Sequence, residues 1–162
     1  MSASIGKIRG RTGFFIAAGL LALAAILFGA IAAGPRYIPV STNSSISVET
    51  NDLRQGDVRF FRYRDRAGDQ IRFLLARDAT GRTKAAFDAC QRCYMYHKGY
   101  AGSRGAIFCR FCGNRYKLEA MESGLASCVP VKLPFQMNGR TVNIKPADLE
   151  SERGLFLEPG CF

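Results

Sequence analysis

The chain has 162 residues, enough for about one domain, and a formal net charge of +10 at pH 7. The charge is unevenly placed. The first twelve residues carry +3, the stretch from Arg82 to Lys117 has eight bases against one acid, Asp88, and the rest of Arg36–Phe162 balances at 12 bases and 12 acids. The excess therefore marks one segment, the one that holds four of the six cysteines.

Residues 1–12 form a basic N-terminus with Lys7, Arg9 and Arg11. Residues 13–34 are uncharged and almost wholly apolar, from Gly13-Phe-Phe-Ile to Ala-Ala-Gly34. About 20 apolar residues in helix cross a hydrocarbon layer, so this run predicts a single transmembrane helix. Bases precede the run, and after Arg36 the next base is Arg54. The positive-inside rule then places the N-terminus in the cytoplasm and everything after Pro35 outside it. Ala30-Ile31-Ala32 also fits a signal-peptidase site. The run is longer than the roughly 7–15 residues of a signal h-region, which favours an uncleaved anchor. Either way the cysteine segment is exported, which argues against nucleic acid as a partner.

Residues 35–45 read as a polar linker, and 46–162 as a cysteine-rich β domain. Ile46-Ser-Val48 predicts a short strand. Val58–Arg64 interleaves aromatics with Arg, Asp65–Asp69 is a turn, and Ile71, Phe73 and Leu75 alternate onto one face. Lys84–Phe87 then leads into Cys90, so three strands form an antiparallel meander. The arginine–aromatic alternation reads as a half-buried strand with a charged outer face. Tyr94–Ser103 reads as a loop, Gly105–Phe108 as a strand, Arg115–Leu118 as its return, and Glu119–Ala126 as one helical turn. Thr141–Ile144 predicts a strand, and Pro146–Leu149 opens a short helix or turn.

The chemistry lies in Cys90-Gln-Arg-Cys93, fifteen residues, then Cys109-Arg-Phe-Cys112-Gly113. Two C-x-x-C pairs at this distance can bring four thiolates to one metal, as in zinc-ribbon and rubredoxin-type sites. Gly113 allows a left-handed backbone that turns N–H groups toward sulfur. The surrounding positive charge favours a thiolate centre. Covalent haem is excluded, because it needs C-x-x-C-His and here Tyr94 and Gly113 follow the pairs. His97 is a further candidate ligand, and Met95 and Met121 offer thioethers suited to copper(I). Cys128 is an additional ligand or resolving thiol, or it pairs with Cys161. Redox dithiols and structural disulfides are the alternative uses of the same cysteines, but no long amphipathic helix follows either pair as a thioredoxin motif requires.

Ala86-Phe-Asp-Ala-Cys90-x-x-Cys93, Ile107-Phe-Cys-Arg-Phe-Cys112-Gly-Asn-Arg-Tyr116 and Ser127-Cys128-Val-Pro130, in that order, resemble the FtrD-like membrane iron-sulfur proteins of bacteria. The resemblance covers roughly Ile46 to Leu149. It implies a membrane-bound domain that accompanies ferrous-iron permeases and ABC-type permease components, with an iron-sulfur cluster or iron. Zinc satisfies the same four thiolates. Many relatives have a multi-span membrane part where this chain has one apolar run, and many carry Gly where Tyr94 stands. The expected role is electron transfer or metal handling beside a permease, by a binding protein rather than an enzyme. A zinc-stabilised interaction module of a transporter complex and a periplasmic thiol–disulfide oxidoreductase are the alternatives.

Overall fold

The computed structural model describes residues 34–41, 44–122 and 129–157. All but Gly34 belong to the compact unit Pro35–Phe162. Among the described residues no helix is long and apolar enough to cross a membrane. The predicted span at 13–34 lies, but for its last residue, outside them.

Among the described residues, eleven strands form three sheets. The central sheet has the order β1-β3-β4-β5-β9, made of Tyr37–Val40, Val58–Arg64, Gln70–Arg77, Thr83–Cys90 and Pro130–Lys132. β1 pairs with β3 in parallel, and the other neighbours are antiparallel. A second sheet, β10-β11-β2, contains Gln136–Asn138, Thr141–Ile144 and Ile46–Glu49. The third, β6-β7-β8, contains Tyr100–Ser103, Ala106–Cys109 and Arg115–Lys117.

The strand alternation shows why the domain has three layers. On β4, Ile71, Phe73 and Leu75 face one core, as their spacing predicts, while Leu74 and Ala76 face another. β3 divides likewise, with Phe61 and Tyr63 on the first face and Phe60 on the second. The first core is closed by Ile46, Val48, Val142 and Ile144 of the second sheet and by Leu149 of helix α1, Pro146–Glu150. Its centre holds the cross-strand pair Phe61 and Phe73, stacked at 5.2 Å between ring centroids. The second core is closed by the small third sheet through Tyr100, Ile107 and Tyr116, and it contains Cys90, Cys93 and Cys109. Burying both faces of a sheet explains why β3–β5 have continuous apolar stretches rather than clean alternation.

Three stretches differ from the sequence reading. Tyr37–Val40, read as part of the linker, is β1, recruited to the free edge of β3. Tyr94–Ser103, read as loop, contains a 3-10 turn at Tyr94–Tyr96 and strand β6. The arginine–aromatic strand is not simply half-buried: Phe60 and Phe61 are both covered, and only Arg62 and Arg64 are fully outward. Of the helical turn expected at Glu119–Ala126, the described part is a 3-10 turn at Leu118–Ala120.

Candidate metal centre

The cysteines are delivered by strand ends. Cys90 is the last residue of β5, on the same face as Ala86 and Asp88. Cys93 precedes the 3-10 turn. Cys109 ends β7, opposite Tyr100 of β6. The Sγ atoms of Cys90, Cys93 and Cys109 all lie within 4.8 Å of one another, and all three residues are buried. Cys112 is exposed and in side-chain contact with Cys109. None of these four is in a disulfide. His97 is not in the thiolate group, and its Nε2 is buried without a hydrogen-bond partner. Cys128 and Cys161 lie outside the described residues.

The two pairs fold alike around their first sulfur. Backbone N–H groups of Arg92 and Cys93 donate to the Cys90 side chain, and those of Phe111 and Cys112 donate to the Cys109 side chain. In the second pair the chain then turns back through Gly113 at φ +75°, whose N–H donates to the Cys109 carbonyl at 2.9 Å. In the first pair Tyr94 stands in place of glycine. The turn continues as the 3-10 segment, and the left-handed residue is displaced to His97 at φ +49°. Stacking ties the loops together at the surface, with Tyr96 and Phe111 3.6 Å apart between centroids. A backbone bond ties them again, the Arg110 N–H donating to the Gly99 carbonyl at 2.9 Å.

Beneath the sulfurs lies a polar support that the motif spacing does not reveal. Asp88 is buried, and accepts from the Tyr100 N–H at 2.6 Å and the Tyr37 O–H at 2.5 Å. Burial pushes its carboxyl up to about 6, against the opposing hydrogen bonds and the positive charges of Arg72 and Arg110. Arg72 reaches the His97 carbonyl at 3.2 Å and lies over the Tyr37 and Phe156 rings. The Tyr100 hydroxyl bonds the Cys90 sulfur. For Cys90, burial raises the thiol pKa, but the two backbone N–H groups and the Cys93 and Tyr100 side chains outweigh it and hold the thiol below its usual range. For Cys109, burial dominates and, helped by neighbouring Cys112, holds the thiol above that range. Asp88 had one signal in the sequence: it is the sole acid in the basic segment and shares the strand face of Cys90.

These residues fit a metal. Thiolates about 2.3 Å from a tetrahedral zinc ion have sulfurs about 3.8 Å apart, so the trio needs little closure to share one ion. Donated N–H bonds offset thiolate charge, and the cations Arg92, Lys98, Arg110 and Arg115 of the same segment are exposed. Buried sulfurs with such donors suit iron-sulfur ligation as well.

No curated protein matches the chain. Two solved structures of a quaternary ammonium Rieske monooxygenase are partly similar. The first, CntA with an inhibitor, gives a TM-score of 0.41 at 16% identity. The second, described in connection with carnitine oxidation by gut microbiota, gives 0.42 at 17%. Each likeness covers 64% of this chain and 31% of the other. The family described as membrane iron-sulfur containing protein, FtrD-like, matches residues 53–156, from just before β3 to just beyond α1. The chain thus belongs to the FtrD-like family of membrane iron-sulfur proteins.

Proposed function

We propose that the protein is a membrane-anchored accessory of a bacterial iron or other metal uptake system, held by one helix at 13–34, with its domain in the periplasm. Cys90, Cys93, Cys109 and Cys112 hold an iron-sulfur cluster or iron in a two-knuckle site of the zinc-ribbon or rubredoxin kind. Its role is electron transfer or metal handling beside a permease or an ABC-type transporter component. One observation carries this reading: three buried sulfurs lie within 4.8 Å of one another, in a family described as iron-sulfur. An iron centre supplies one-electron chemistry. The protein's own residues position the sulfurs, donate hydrogen bonds to them and keep water from three of the four.

Burial separates this reading from a thiol–disulfide oxidoreductase. An attacking thiol needs both a low pKa and access. Cys90 has the lowered pKa but is 2% exposed, whereas Cys112 is exposed and lies in contact with Cys109. The test is the iron and acid-labile sulfide content of the full chain purified without chelators, with its visible spectrum. Iron, sulfide and visible absorption support the proposal. A colourless protein with one zinc per chain would leave the thiolate site but remove electron transfer, and a metal-free protein whose four thiols titrate freely would restore the dithiol enzyme.

A further inference from the structure

The surface of the cysteine loops and the third sheet is unlike the rest of the domain. Among the described residues, eight large hydrophobic side chains are well exposed, and five of them are Tyr94, Met95, Tyr96, Phe108 and Phe111. Tyr94, Met95 and Tyr96 lie in the first cysteine loop, Phe111 in the second, and Phe108 on β7 beside Arg115 of β8. The Tyr96–Phe111 stack presents two flat rings to solvent, each 48% exposed. Exposed cations accompany them, namely Arg92, Lys98, Arg110 and Arg115, and no acid occurs from residue 89 to 118. Cys112, the exposed cysteine among the described residues, adjoins Phe111 in the chain and touches Cys109 of the buried trio.

We propose that this face docks an acidic protein that carries one electron at a time, exchanging it with the cysteine centre through the Cys112 side. Aromatic, Met and Arg side chains are the types that concentrate at protein interfaces. A cationic surround without acids selects and steers an acidic partner face. The position of Cys112 favours a protein over a lipid surface: Cys112 is exposed beside Phe111 and touches Cys109 of the buried trio, and a lipid has no use for that access. In the transfer the partner's reduced centre loses one electron and the metal centre gains it, or the reverse, and no bond is made or broken. The exchange rests on the iron reading of the site, whereas the docking face does not.

The test uses the full chain in nanodiscs of neutral phosphatidylcholine, with an acidic plant-type ferredoxin as probe and basic cytochrome c as control. Ferredoxin is expected to slow hydrogen–deuterium exchange at residues 94–96 and 108–112, to bind less as salt is raised, and to bind about tenfold more weakly to the double variant Lys98→Glu/Arg115→Glu. Met137→Ala, on an exposed strand of the other small sheet, is expected to leave binding unchanged. Equal binding of cytochrome c, protection elsewhere, or no effect of the double variant overturns the proposal. Protection of the same loops by phosphatidylglycerol vesicles without any added protein also overturns it and assigns the face to the membrane. Salt-dependent ferredoxin binding to a preparation without iron supports the docking face while refuting the iron reading.

Discussion

Gly99→Ala tests whether the cysteine loops depend on Asp88. Gly99 has φ +64°, and a Cβ added there would collide with Asp88 Oδ2 and lie 2.6 Å from Oδ1. Those oxygens are not free to retreat, because they accept from the Tyr37 hydroxyl and the Tyr100 N–H inside the core. A left-handed backbone costs an alanine about 1 kcal/mol. Displacing the carboxylate loses one or both charged hydrogen bonds, at about 1.5–3 kcal/mol each. Gly99→Ala should therefore cost about 2.5–7 kcal/mol, a large share of a typical domain stability of about 5–15 kcal/mol. Gly105→Ala is the control, since Gly105 has φ +74° but nothing within 4 Å of its added Cβ. It should cost only the backbone share of about 1 kcal/mol. Urea unfolding of the full chain in mild detergent with chelator, followed by tyrosine fluorescence, measures both. If the two variants agree within about 0.5 kcal/mol, the Asp88 contact does not brace the loops.

Two further outcomes follow from side chains around the core. Burial raises the pKa of the Asp78 carboxyl, but bonds from the Thr80 hydroxyl and N–H, the Arg82 N–H and the Arg82 charge outweigh it and leave it depressed. A depressed folded pKa gives stability that is present above the unfolded pKa and is lost as pH falls through the folded one. Asp78→Asn should flatten the acid limb of a thermal-stability profile below about pH 4, and an unchanged limb refutes the assignment. Tyr100→Phe removes the hydroxyl bonded to the Cys90 sulfur while keeping the ring in the core. Loss of an outer partner of a ligand should weaken metal retention about tenfold in a chelator competition, and unaltered retention would show the bond to be idle.

Much of the frame is legible in the sequence because strand alternation is local. Ile71, Phe73 and Leu75 announce their face, and Pro146 opens the short helix it begins. β1 and β6 are hidden for a physical reason. Tyr-Ile-Pro-Val contains a proline, and Tyr-Ala-Gly-Ser is short and small, so neither has intrinsic strand preference across its length. Pairing with β3 and β7 imposes the conformation. The site divides in the same way. The two C-x-x-C pairs are visible as spacing, including the glycine turn at Gly113. The spacing does not show that the first pair is the better buried, or that Cys112 faces solvent. Nor does it show Asp88 meeting Tyr37, 51 residues away, because that contact exists only once β1 and β5 lie in one sheet.

The central claim is that the four cysteines form one metal centre, and single cysteine substitutions test it most directly. Metal per chain is measured for the full chain and for Cys90→Ser, Cys93→Ser, Cys109→Ser and Cys112→Ser, each purified without chelators. Substitution at the buried positions Cys90, Cys93 and Cys109 is expected to abolish metal binding, and Cys112→Ser is expected to retain the metal more weakly because a solvent-exposed ligand is replaceable by water. Metal content unchanged in Cys109→Ser would contradict a centre shared between the two pairs.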